Sequence, residues 1–417
     1  MFEISEFGKF LSGGAGIVQL MDDLGSAGEH EQPVCMLGGG NPGRIDEVEA
    51  YFREAMQALV DDPGRLDHML GSYDSPEGDG AFRDALAALL GKTQGWQLSR
   101  DNIAITNGSQ SSFFVLFNMF AGNFPDGGQR KILLPLTPEY IGYADSGLGK
   151  SLFTAHRPSI ELLDDNLFKY HVDFSSLNPD PGIGALCVSR PTNPTGNVLT
   201  DDEVDHLREF CRANNLPLIL DCAYGAPFPN IIFTDAKPVW DEGVIVCMSL
   251  SKLGLPGVRT GIVIARPEII RAISGANAIL SLAPGSFGPV LMRQAMQNGE
   301  ILEIADQHVR PFYQQKVTTT LALLREHLAG LPYRVHEPEG AIFLWLWFEG
   351  LPISSDELYR RLKARGVYVI AGEHFFPGLD EDDWSHRHEC IRLSYAGSED
   401  AVKKGIAILA EELRKLY

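Results

Sequence analysis

Ser249-Leu250-Ser251-Lys252 is followed by Gly257 and Arg259 and preceded by Asp221, Tyr224 and Asn193. These residue types could each take one part of a flat, charged heterocycle. The Lys252 amine can condense with an aldehyde if it gives up its proton. Burial among Leu250, Leu253 and Leu255, and a nearby cation such as Arg259, both favour that. The hydroxyls of Ser249 and Ser251 and the guanidinium of Arg259 suit a phosphate. Asp221 ends the apolar run of residues 218–220, and a buried carboxylate there would keep a pyridine nitrogen protonated. Tyr224 and Asn193 can donate to a phenolic oxygen on the same ring. The set answers to pyridoxal phosphate, held on Lys252 as a Schiff base. A surface lysine and a capping aspartate are the bland rivals, and the leucines around Lys252 weigh against the first.

Two more segments fit this ligand. Residues 102–106 read as a strand, followed by Asn107-Gly108-Ser109-Gln110 and a helical pattern. Free backbone N–H groups at a helix start bind phosphate. Gly108, Ser109 and Gln110 are therefore candidates, although an ordinary capped helix explains the unit alone. Tyr140, in Pro138-Glu139-Tyr140-Ile141-Gly142-Tyr143, would face the ring, with core packing as the competing explanation.

These residues must be positioned by a frame. Short apolar or β-branched runs fall at 102–106, 131–136, 184–189, 217–221, 244–249 and 261–265, with helical periodicity between several of them. Residues 201–214 form one helical case, opened by Thr200 with Glu203 three positions on, a capping box. Strands alternating with helices imply an α/β fold with a mostly parallel, doubly covered sheet. Asn193, Asp221 and Lys252 each follow a predicted strand, so all three belong at one edge, where such sheets hold ligands. Residues 111–120 are apolar nearly all round, as in a buried helix. Beyond residue 300 the pattern changes. A long helix over 300–328, strands at 341–348, 366–370 and 390–394, and helices at 355–365 and 399–416 read as a smaller α+β C-terminal domain. The expected division is an arm at 1–45 associated with the small domain, a large ligand-binding domain at 46–300 and the small domain at 301–417.

The 417 residues are 44% hydrophobic, enough for a large core. A net charge of −20 argues against a nucleic-acid partner. The longest apolar runs are too short to span a bilayer, and residues 1–9 carry Glu3 and Glu6 rather than a leader pattern. Six cysteines without paired spacing suit buried or free thiols. A cytoplasmic protein without a membrane partner is expected. Gly38-Gly39-Gly40-Asn41-Pro42-Gly43 formally matches a dinucleotide fingerprint, but no βαβ unit follows it. His386, His388 and Cys390 resemble a metal cluster, yet the histidines sit in a charged segment that reads as a solvated loop; no metal site is expected.

From about Leu37 to Ser394 the chain resembles the aspartate-aminotransferase-like, fold type I family of pyridoxal-phosphate enzymes. The resemblance rests on Pro191-Thr192-Asn193-Pro194-Thr195-Gly196, Asp221-Cys222-Ala223-Tyr224, Ser249-Leu250-Ser251-Lys252 with Gly257-Val258-Arg259, and Cys390-Ile391-Arg392-Leu393-Ser394. It implies that Arg392 grips a substrate α-carboxylate, aided by Asn193 and the backbone at Gly40. It implies that Tyr73 reaches the phosphate of a neighbouring subunit, so that a homodimer shares its sites. The stretches at 37–42, 106–114, 138–145, 248–261 and 338–348 narrow the likeness to enzymes that move an amino group from valine to pyruvate in two ping-pong halves. An aminotransferase of other neutral amino acids, a C–S β-lyase on the same cofactor and a ligand-sensing module are the alternatives.

Overall fold

The computed structural model describes residues 3–5, 8–9, 34–149, 151–379 and 382–417. Most of the arm expected at residues 1–45 lies outside these.

Among the described residues, eight strands form the main sheet. Its order is Ile103–Asn107, Thr260–Ile264, Val244–Ser249, Leu218–Asp221, Ile183–Ser189, Gln129–Leu134 and Gly122–Asn123, with Phe153–Ala155 beside Gln129–Leu134. The inner strands are parallel, as their alternation with helices implied. Thr260–Ile264 runs antiparallel to both its neighbours. Its reversal follows from the short connection after Val244–Ser249, which is too short for a helical crossover. Leu218–Asp221 and Val244–Ser249 are buried at every position, and their unbroken apolar character reflects cover on both faces.

Helix Ser109–Phe120 is buried through Phe113, Val115, Leu116 and Phe117. Helix Asp201–Ala213 begins with the capping box read from the sequence: Thr200 Oγ1 accepts the Glu203 N–H at 3.1 Å, and Glu203 accepts the Thr200 N–H at 2.9 Å.

A second sheet carries the order Ile370–Ala371, Cys390–Ser394, Phe343–Trp347, Arg334–His336, Leu167–His171 and Ser159–Leu162. The last two strands come from the middle of the chain and were not legible as strands. They are half polar and short, so neither period stood out. The strand expected at 366–370 is divided. Val367–Tyr368 pairs with Cys35–Met36, and Ile370–Ala371 pairs with Cys390–Ser394. The helix expected over 300–328 contains a π-helical turn at Ile304–Val309 before Arg310–His327. Pro311 stands in the first turn of that last helix, where its missing N–H is tolerated.

Residues 35–37 are held by the strand Val367–Tyr368 and by Ser394 of the second sheet. Cys35 N–H donates to Gly366 O at 2.8 Å, and Leu37 exchanges bonds with Tyr368 and Ser394. This brings residues 38–40 across to the end of the main sheet.

Thr200→Ala removes the cap of an otherwise intact helix. The expected loss is about 1 kcal/mol, seen as a lower denaturant midpoint with an unchanged slope. No change in midpoint would contradict the role of the box.

Candidate active site

Main-sheet strand register sets the floor of the site. Ser189 lies opposite Asp221, and Asp221 opposite Cys247, at the carboxyl ends of three parallel strands. The chain leaves Val244–Ser249 into the turn Ser251–Leu253, which carries Lys252. Ser249 Oγ accepts the Ser251 N–H at 3.0 Å and donates to Ser251 Oγ at 2.9 Å, which fixes that turn.

Lys252 Nζ donates to Gly40 O at 2.5 Å. It also stands 5.3 Å from the centre of the Tyr224 ring. Burial, then Arg392, then Arg259 lower the amine to about 8, with Asp221 pulling the other way. The sequence pointed to burial and Arg259; Arg392 comes from the second sheet and was not foreseen in this role.

Asp221 is buried and takes hydrogen bonds from Tyr143 O–H at 2.7 Å and Ala223 N–H at 2.9 Å. Burial raises its carboxyl to about 6, against the opposing hydrogen bond from Tyr143. At neutral pH it is an anion waiting for a cationic partner. Behind it, Ser189 Oγ lies 3.3 Å from Tyr143 Oη and 2.5 Å from Glu139 Oε2. Tyr143, Ser189 and Glu139 were not singled out from the sequence. Tyr143 stands three positions after Tyr140 in the quoted segment, and that spacing was the available signal.

Arg392 is fully buried. It donates to Asn193 Oδ1 at 2.7 Å and Gly38 O at 2.6 Å, and its guanidinium lies 4.0 Å from the centre of the Phe343 ring. Among the described residues its Nε has no partner. Burial lowers it to about 10. A buried guanidinium without a carboxylate is strongly disfavoured unless an anion arrives. With its oxygen turned to Arg392, Asn193 keeps its amide N–H groups for another ligand.

Arg259, in the left-handed region at φ 49°, is exposed. A Cβ placed on Gly108 would stand 2.0 Å from its Nη2, and one on Gly261 would stand 2.6 Å from Ser109 N. The guanidinium therefore lies across the N-terminus of helix Ser109–Phe120, which has no side-chain cap. A cation at the positive end of a helix is unfavourable by itself. Among the described residues no carboxylate pairs with it. Arg259, the Ser109 backbone and the Ser249 and Ser251 hydroxyls thus fit a phosphate, and with Lys252 and Asp221 they fit a phosphorylated pyridine aldehyde. Gln110 donates to Gly142 O at 2.9 Å and holds the turn after Tyr140, whose ring is edge-on to Tyr143 at 5.5 Å.

Tyr73 is not packed against the described residues. It is 81% exposed, between helices Pro63–Gly71 and Gly80–Gln94. His386 corrects the expectation of a solvated loop. It is buried, bonded to Tyr170 O–H and stacked on Trp384 at 4.6 Å, because the aromatic faces of the second sheet enclose it. His388 is half-exposed and paired with Glu373 at 2.6 Å. A cavity of ≈ 170 Å³ reaches Lys252 and is lined by Asn41, Pro42, Val48, Phe52 and Tyr313. A larger one of ≈ 630 Å³ opens at the far ends of the strands, beside Gly184 and Leu218, and its Arg208 is already paired with Asp241.

In cofactor-free protein, acylation of Lys252 should rise with pH around a midpoint near 8. Arg392→Leu should move the midpoint up. Peptide mapping of the acylated lysine measures both. A wild-type midpoint at the ordinary 10.5 would contradict the electrostatics described.

The family model for aminotransferase class I and II matches residues 41–409. The chain is 48% identical over 413 residues to valine–pyruvate aminotransferase of Escherichia coli K12, covering 99% of this chain and 98% of the other. The solved valine–pyruvate aminotransferase of Salmonella typhimurium LT2 is 48% identical, with a TM-score of 0.88 over 96% of this chain and 99% of that one. A protein from Psychrobacter arcticum 273-4, described as an amino-acid aminotransferase, superposes with a TM-score of 0.97 at 47% identity, over 100% and 99% of the two chains. With the strand-end placement of Lys252, Asp221 and Asn193, this establishes that the chain belongs to the class I and II aminotransferases.

Proposed function

We propose that the protein is a pyridoxal-phosphate-dependent valine–pyruvate aminotransferase, producing 3-methyl-2-oxobutanoate and L-alanine by a ping-pong cycle. The observation that carries this is Lys252, its amine lowered to about 8, on the same strand edge as an anionic, buried Asp221. The near-complete likeness to a valine–pyruvate enzyme supports the substrate pair.

The cofactor supplies an aldehyde that takes up an amino group and a ring that accepts electrons from the substrate Cα. Lys252 is the residue that would anchor it, and its amine would serve as general base and acid for the substrate Cα proton. An amine near 8 is partly deprotonated at neutral pH, which that role requires. Asp221 holds the pyridine nitrogen protonated. Tyr224 and Asn193 would donate to the ring oxygen, and Tyr140 would pack on the ring. Gly108, Ser109, Gln110, Ser249, Ser251 and Arg259 form the phosphate cup. Arg392 binds the carboxylate common to donor and acceptor, beside Asn193 and Gly40. In the cavity next to Lys252, Arg44 and Glu49 neutralise one another at 2.8 Å, and Val48 and Phe52 offer apolar surface. That lining favours an uncharged side chain over an acidic one.

The reading extends to a homodimer with shared sites. Tyr73, Ile279, Leu280 and Leu282 are exposed. Asn277 Nδ2 donates to Pro76 O at 2.8 Å, and Asn107 accepts the Gly285 N–H at 2.9 Å. The apolar rim therefore adjoins the phosphate cup, where a second copy would bring its Tyr73. Exposed apolar patches of this kind mark contact surfaces. The division into an arm at 1–45, a large domain at 46–300 and a small domain at 301–417 belongs to the same reading, except that Ser159–Leu162 and Leu167–His171 join the sheet of the small domain. Six free, buried cysteines fit a reducing cytoplasm. Among the described residues no helix is long and apolar enough to cross a membrane.

Borohydride reduction of the holoenzyme should fix the cofactor on Lys252 by peptide mass mapping; attachment elsewhere would defeat the assignment. With pyruvate as acceptor, valine should be a better donor than aspartate or glutamate by kcat/KM, and equal use of all three would contradict it. Leu282→Asp should shift the enzyme toward monomer in sedimentation and weaken cofactor retention. An intact dimer would remove this surface from the interface.

A further inference from the structure

A second acid lies behind Asp221, and none of the roles above uses it. Glu139 is completely buried, and among the described residues neither it nor Asp221 forms an ion pair with a basic side chain. Its Oε1 accepts the Ser189 N–H at 2.8 Å and its Oε2 lies 2.5 Å from Ser189 Oγ. Ser189 Oγ is 3.3 Å from Tyr143 Oη, and Tyr143 donates to Asp221 Oδ2 at 2.7 Å. The four groups form one buried row across two adjacent strand ends.

Counting protons along the row decides its state. Ser189 has a single hydroxyl hydrogen. If Glu139 were ionised, that hydrogen would serve Glu139, and the Tyr143 oxygen would receive none. Two carboxylates would then share a dry region with no cation between them, which is strongly unfavourable. If Glu139 carries a proton, Glu139 donates to Ser189, Ser189 to Tyr143 and Tyr143 to Asp221. Every donor then points the same way and the single negative charge rests on Asp221.

We propose that Glu139 is a positioning residue that stores a proton and, through Ser189 and Tyr143, directs the row of hydrogen bonds onto Asp221. Its purpose rests on the reading of Asp221 as the partner of a pyridinium, because the row keeps that carboxylate ionised and fixed in orientation. The stored proton itself can be observed without any cofactor.

The groups facing Glu139 pull in both directions, and burial outweighs the donors: the Ser189 N–H and O–H and the Tyr140 N–H, 3.4 Å from Oε2, favour the anion, while burial favours the acid. Burial pushes its carboxyl up to about 8 against the two Ser189 hydrogen bonds, and the nearby Asp221 charge adds to the rise. Cys187, on the strand that ends at Ser189, is driven well above its ordinary value and stays a neutral thiol. Tyr140 and Tyr143 are likewise raised by burial. The turn Gly372–Phe375 packs on it through the Phe375 carbonyl, which accepts the Glu139 N–H at 2.8 Å, and Glu373 of that turn is paired with His388.

Infrared spectroscopy of the cofactor-free protein tests the proposal. A protonated carboxylic acid has a carbonyl stretch separate from ionised carboxylates. Wild type should show this band at neutral pH and lose it as the pH passes about 8. Glu139→Gln should lack it, since the amide keeps one acceptor and one donor but no acid. Ser189→Ala leaves the acid in place and removes its acceptor, so the band should move in frequency. Stability gives an independent reading. An acid raised on folding from its ordinary 4.5 to about 8 stabilises the fold most below 4.5 and loses that contribution as the pH rises through this window. The Tm of Glu139→Gln relative to wild type should therefore climb from pH 4.5 toward pH 8. A missing band at neutral pH, a band that survives Glu139→Gln or is unmoved in Ser189→Ala, or a Tm difference constant with pH would each overturn the proposal. Failure of these outcomes with Lys252 still labelled by the cofactor would leave the aminotransferase reading standing.

Discussion

Charge without a side-chain counter-ion among the described residues, in or beside a buried crevice, is what organises this site. Arg392 is sealed between Phe343 and the Asn193 loop, with one guanidinium nitrogen unpaired among the described residues. Arg259 lies across a helix end of its own sign. Asp221 is ionised at neutral pH in a place that burial makes hostile to anions. Each arrangement is unfavourable alone and becomes favourable with one ligand bearing a phosphate, a cationic ring and a carboxylate-bearing substrate. The same field lowers the Lys252 amine, so binding and proton transfer have a common electrostatic cause.

The architecture delivers these charges from three directions. Parallel strand ends bring Asp221 and the Lys252 turn side by side, and the antiparallel return of Thr260–Ile264 packs against Gly108. Tight backbone contacts leave no room for a side chain there: a Cβ on Gly261 would be 2.5 Å from the Gly108 carbonyl carbon. The second sheet supplies Arg392 from Cys390–Ser394, and the segment around Gly38 and Gly40 ties both parts through its carbonyls. The Asn193 loop is fastened by a buried Lys169–Glu339 pair, with Glu339 also accepting the Val198 N–H at 2.9 Å.

How legible this was depends on whether the cause was local. Lys252, Asp221 and Asn193 follow strands marked by apolar or β-branched runs, so their placement at one edge could be read directly. The capping box at Thr200 and Glu203 was equally plain. Tyr143 and Glu139 act through space on a residue far along the chain, and in the sequence they look like core. Leu167–His171 joins a sheet made mainly from the C-terminal third, a pairing that no local pattern encodes. His386 misled because charged neighbours suggested solvent, whereas packing against Trp347 and Trp384 decided its burial.

The central claim is that a buried anion opposite the lysine makes the ring an electron acceptor. Single-turnover amino transfer from valine by the Asp221→Asn holoenzyme tests it most directly. The variant should retain the bound cofactor on Lys252 yet transfer the amino group slower by about three orders of magnitude, a loss of roughly 4 kcal/mol in the barrier. Transfer at the wild-type rate, with the cofactor fully bound, would contradict it.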